Sequence, residues 1–103
     1  MNMKEKLVAA EEWRTVQLFL TTRGVYEVEV DLSSRDVRCN CQNFEARKSC
    51  KHAQLVAERM EDNGGTYPLK VSSKAPANEA TKARESAKEF RDFVVHYGKV
   101  EVI

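Results

Sequence analysis

All three cysteines of this chain and one of its two histidines fall within the 14 positions from Cys39 to His52, in the pattern C-x-C-x8-C-x-H. No other feature constrains the fold as strongly. Three thiolates and one imidazole suit a four-coordinate zinc ion of the closed, structural kind. A chain of 103 residues buries a modest core, so such a staple adds much to it. The spacing also places the ligands. Residues i and i+2 of a strand share a face, so Cys39 and Cys41 present both sulfurs to one side. Gln42 to Ser49 form a loop long enough to turn the chain back, and Cys50 and His52 then arrive at the mouth of the next helix. The positive end of that helix is expected to lower the Cys50 thiol pKa. Three thiolates outnumber the two charges of the ion, and Arg38, Lys48 and Lys51 lie close enough in sequence to offset the excess.

Two other uses of these residues are weaker. A secreted disulfide framework favours an even cysteine count, and a bridge between Cys39 and Cys41 on one strand would be strained. Iron–sulfur ligation rarely takes histidine as its fourth ligand. Reduced, metal-bound thiols imply an intracellular, cytoplasmic setting. The apolar run Leu7-Val8-Ala9-Ala10 is too short for a secretory signal, and no stretch approaches the roughly 20 apolar residues of a spanning helix, so no membrane role is expected.

The rest of the chain reads as one α+β domain over residues 1–103. A short N-terminal helix is expected at 3–13. Thr15 to Thr22 reads as a strand with Val16, Leu18 and Leu20 on one face and Phe19 on the other. Thr22-Arg23-Gly24 is a tight turn. In the next strand Tyr26, Val28, Val30 and Leu32 share one face, and Glu27, Glu29 and Asp31 the other. Ser33 to Asp36 turn the chain, and Val37 to Cys41 resume an extended pattern, which completes an antiparallel β-meander of about three strands. Ala53, Val56, Ala57 and Met60 then recur at helical spacing up to the breaker Asp62-Asn63-Gly64-Gly65. Tyr67 to Val71 reads as an edge strand, because Pro68 argues against a central one. A long amphipathic helix is expected over 78–97, with Ala83, Ala87, Phe90, Val94 and Tyr97 on its apolar stripe. Lys99 to Ile103 is a last strand or a tail.

The residues Cys39-Asn40-Cys41 and Cys50-Lys51-His52-Ala53, with Phe44 in the gap and Tyr26-Glu27-Val28 before them, resemble the SWIM zinc finger, whose motif is C-x-C, a variable gap, then C-x-H. The resemblance covers residues 25–60. It implies a hairpin-plus-helix unit around a zinc ion held by Cys39, Cys41, Cys50 and His52, and a role in binding DNA or protein. The family's large transposase and ATPase hosts have no room in a chain this short.

Composition narrows the function further. The formal net charge is +1, so any basic surface must be local. Residues 35–59 hold six basic side chains against three acidic ones, and Arg38, Arg47, Lys48 and Lys51 are the expected phosphate contacts of a nucleic-acid-binding loop, with Gln42, Asn43 and Gln54 in reach of base edges. A pI near 7.7 lies well below that of dedicated DNA binders. The expectation is therefore a small zinc-binding regulatory or accessory protein, of the size a phage or mobile element encodes, that binds a protein partner. Nucleic-acid binding is the alternative. The stripe of the terminal helix is the expected partner or dimer surface. Catalysis is not expected, since four protein ligands fill the zinc shell and no carboxylate pair, Ser-His arrangement or phosphate loop accompanies it.

Overall fold

A computed structural model describes residues 12–103 of the chain, and the helix expected at 3–13 falls almost wholly outside them. Strands β1 (Trp13–Thr21), β2 (Gly24–Asp31) and β3 (Val37–Cys39) are successive antiparallel neighbours. A fourth strand, β4 (Glu101–Val102), runs parallel to β1 on its other side, so the order is β3-β2-β1-β4. Four helices complete the described chain: α1 (Gln42–Arg47), α2 (Lys51–Asp62), α3 (Ala77–Ala83) and α4 (Ala87–Tyr97). The β1–β2 turn rests on Gly24, whose φ of +137° is closed to ordinary side chains.

A β-bulge sets which side chains of β1 point inward. Thr15 pairs with Glu29 and Gln17 with Val28, which leaves Val16 as the extra residue. The bulge shifts the phase of the strand, so Val16 and Phe19 both enter the core, and Phe19 has no exposed surface at all. The expected grouping of Val16 with Leu18 and Leu20, and Phe19 opposite, is thereby corrected; Leu20 is exposed. In β2 the alternation holds for Tyr26, Val28 and Val30 but stops at the strand end, where Leu32 is exposed. Asp31 is buried instead. Its Oδ1 accepts from the backbone N–H of Ser33 at 2.9 Å, the Ser33 hydroxyl at 2.8 Å and the N–H of Glu12 at 3.2 Å.

The core lies between the sheet and α2. Phe19, Val28, Val30 and Cys39 meet Ala53, Val56 and Met60, and the two layers close over Cys41 and Cys50. Ala57, expected on the same stripe, is exposed. A polar chain ties α2 to β1 and β4: Tyr67 donates to Gln17 Oε1 at 2.7 Å, Arg59 donates to Tyr67, and Arg59 grips Glu101 with two bonds of 2.7 Å. Helix α4 packs along β1, and its Arg91 pairs with Glu27 on the sheet face opposite Val28.

Two expected elements differ. Tyr67–Val71 forms no strand; only Val71 bridges to Gly98. The helix expected over 78–97 is two helices, broken at Arg84-Glu85-Ser86. Ser86 is extended, and its hydroxyl accepts from the Glu89 N–H at 3.1 Å, which caps α4. Ser86-Ala87-Lys88-Glu89 is a capping-box sequence, and the cap is the local preference that overrides the longer stripe. Within that stripe Ala83 and Val94 are buried, Phe90 and Tyr97 half-buried, and Ala87 exposed.

Candidate metal centre

Three elements deliver the four motif residues. Cys39 ends β3 and, opposite Val28 in register, faces the core. Cys41 is the N-cap of α1, and Cys50 the N-cap of α2, where its sulfur accepts from the Ala53 N–H at 3.4 Å. His52 stands in the first turn of α2. The segment expected as an open loop therefore contains a helix. Lys48 ends that helix at a φ of 60°, the left-handed conformation that turns the chain back toward Cys50.

All four side chains are buried, and one ligand atom from each lies within 4.8 Å of the others. His52 Nδ1 stands 3.7 Å from Cys39 Sγ and 3.8 Å from Cys50 Sγ. Bonds of about 2.3 Å to sulfur and about 2.0 Å to nitrogen at tetrahedral angles separate S and N by roughly 3.5 Å, so the spacing fits a closed shell. The His52 ring lies between Phe19, at a centroid distance of 5.3 Å, and Tyr26, at 5.6 Å. Its other nitrogen, Nε2, is buried without a hydrogen-bond partner among the described residues. Burial, helped by the Lys51 charge, holds the imidazole pKa below its ordinary value, which favours the neutral ring a metal needs.

The thiols are not uniform. Burial pushes Cys39 up to about 12. Burial also raises Cys50, against the lowering by the Ala53 N–H. The expectation that the helix start lowers Cys50 is thus corrected: desolvation outweighs one backbone donor. Cys41 alone is lowered. Burial acts to raise it, but the N–H groups of Phe44 and Asn43, with the neighbouring sulfurs, outweigh that.

The basic residues expected beside the motif do not act as one group. Arg38 adjoins Cys39 on a strand, so it points to the opposite face, where it pairs with Glu29 at 2.8 Å and covers the Trp13 ring at 4.0 Å. Arg47, Lys48 and Lys51 are exposed around the turn between α1 and α2. Gln42, Asn43 and Gln54 are exposed as well, and His96 stands exposed at the end of α4. The residue missed from the sequence is Arg23, which the β1–β2 turn brings to a cavity shared with Lys51 and His52.

Fold and site together define a small α+β domain whose sheet and helix meet at a buried Cys3His cluster positioned to chelate a metal ion. No protein-family model, no curated protein and no solved structure matches the chain. The cluster is compatible with a zinc finger, and the likeness to the SWIM finger rests on the motif residues alone. Among the described residues, no helix is long and apolar enough to cross a membrane.

Proposed function

We propose that this chain is a structural-zinc domain that works by binding a protein partner. The observation that carries the zinc reading is the convergence of four buried donors within 4.8 Å. Three soft thiolates and one imidazole select zinc over hard cations. Cys39, Cys41, Cys50 and His52 would hold the ion, and with four protein ligands no position is left open for water or substrate. The ion then serves as a cross-link between sheet and helix rather than as a catalyst.

The partner reading is supported by apolar surface at one end of the sheet. Leu20 pairs with Val25 on one side and with Val102 on the other, and all three are exposed, Val102 by 74%. Three apolar side chains side by side on an open sheet face are what a partner covers. The expected dimer stripe of the terminal helix supports this less, since two of its five residues, Ala83 and Val94, are already buried.

Native mass spectrometry of protein purified without added metal tests the zinc reading. One zinc per chain is expected, and none in Cys50→Ser; a metal-free, cooperatively folded chain would overturn it. For the partner reading, V25E/V102E should lose proteins that cross-link to the wild type in its host, at equal zinc content. Unchanged cross-linking refutes this surface.

A further inference from the structure

We infer that Cys41 is an oxidation site: the sulfur of the cluster that a small hydroperoxide reaches first, and the one that then closes a disulfide with Cys50. This deepens the zinc reading above, since it assigns the same four residues a chemistry that opens the site. Access separates the three thiols. Their surface exposure is nearly equal, at 5% for Cys39 and Cys41 and 7% for Cys50. Their depth is not: the protein surrounds Cys39 most densely and Cys41 least. A cavity of about 380 Å³ lies between the β1–β2 turn and the starts of α1 and α2, and Cys41 lines it while Cys39 and Cys50 do not. Much of the remaining wall is open to water, with Thr22, Arg23, Gln42, Asn43 and Lys51 exposed. Oxidation follows thiolate character and access, and reactive cysteines sit in partly open, electropositive surroundings. Arg23 and Lys51 bring positive charge to this wall.

A second sulfur is already close. The ligand atoms of the cluster lie within 4.8 Å of one another, so Cys41 Sγ has both other sulfurs within that distance. Cys39 is the poorer partner. Cys41 is extended, with φ −80° and ψ 161°, and follows the end of β3 by two residues. Two residues of extended chain separate Cα atoms by about 6.6 Å, at the upper limit of what a disulfide spans. Cys50 belongs to a different element, as the N-cap of α2, and eight residues lie between it and Cys41. That limit does not bind it.

The chemistry balances with one peroxide. The Cys41 thiolate attacks the terminal oxygen of the hydroperoxide; an S–O bond forms and the O–O bond breaks. The departing oxygen takes a proton from solvent and leaves as water or an alcohol. Sulfur has lost two electrons and the peroxide has gained them, which leaves Cys41 as a sulfenic acid. The Cys50 thiolate then attacks the Cys41 sulfur, the S–S bond forms, the S–O bond breaks, and hydroxide leaves and is protonated to water. Two thiolates, one hydroperoxide and two protons thus become one disulfide, one water or alcohol, and one water. Only Cys39 and His52 remain as ligands, and two ligands do not make the closed shell of structural zinc.

The test uses the full, zinc-loaded chain, its metal content measured before oxidant is added. One equivalent of hydrogen peroxide should release zinc to a chromophoric chelator. Peptide mass spectrometry should map the disulfide formed to Cys41 and Cys50, with Cys39 still a free thiol. A brief pulse with a cyclic diketone, which captures sulfenic acids, should put most of its label on Cys41. Asn43→Trp narrows the cavity without removing a ligand and should slow zinc release severalfold at unchanged melting temperature. Gln54→Trp, exposed on α2 outside the cavity wall, serves as the neutral control. Label spread evenly over the three sulfurs, a first bridge that lacks Cys41 or Cys50, or a rate unchanged in Asn43→Trp overturns the proposal. A chain that holds no zinc before oxidation counts instead against the metal reading, and the order of labelling still decides the site.

Discussion

At the scale of single residues, the environments of the ligands predict how the metal enters. Cys39, pushed up to about 12 by burial, is protonated at neutral pH, and Cys50 is shifted the same way. Zinc must displace those protons, so its affinity should climb as pH rises, by up to about tenfold per pH unit for each proton released. Competition against a chromophoric chelator at pH 6, 7 and 8 reads this directly; a pH-independent constant would contradict it. Asp31 gives a second prediction, of opposite chemistry. Hydrogen bonds led by the Ser33 N–H, against the cost of burial, lower its carboxyl to about 2. A depressed carboxylate stabilises the fold at every pH above its unfolded value near 4, and that stability is lost as pH falls toward 2. Asp31→Asn should therefore lower the melting temperature at pH 7, and the gap from wild type should close in strong acid. A gap that stays constant through the acid limb would mean that the charge plays no part.

At the scale of elements, strength and range of the local signals decided what the sequence disclosed. The Cys39 and Cys41 pair, the alternation of β2 and the helix after Cys50 are short-range patterns, and all three were legible. The bulge at Val16 was not, because neither residue type nor spacing marks where β1 gains a residue; pairing with β2 decides it. The placement of Arg38 was legible in principle, since the residue next to Cys39 on a strand must face away from it. Arg23 was not, because only the folded hairpin brings it to Lys51. The break between α3 and α4 lies between these cases. Its capping-box sequence stood in the open, yet the apolar period running across it suggested one helix. If the cap holds that break, Ser86→Ala should cost about 1 kcal/mol in urea unfolding. A neutral or stabilising result would show that tertiary packing of Phe90 and Val94, rather than the cap, ends α3.

At the scale of the whole molecule, the metal cluster and the apolar core are one body. Cys39, Cys41 and Cys50 belong to the same buried cluster as Phe19, Val28 and Val56, and the His52 ring packs on Phe19. A finger that hangs from a domain can lose its ion and leave the rest standing; an ion held by Cys39, Cys41, Cys50 and His52 would instead sit inside the single core. Structural zinc contributes an apparent 10–16 kcal/mol or so in isolated fingers, while whole domains are stable by only about 5–15 kcal/mol. Removing the ion here also leaves the three thiols and the imidazole buried without the partner that joins them. Excess chelator should therefore abolish the cooperative thermal transition monitored by circular dichroism, and restoring zinc should recover it. Sheet and helix signals should vanish together, because both layers end at the cluster. A chelated sample that retains a sheet transition of its own would show that β1 and β2, braced by α4 through Glu27 and Arg91, fold without the metal.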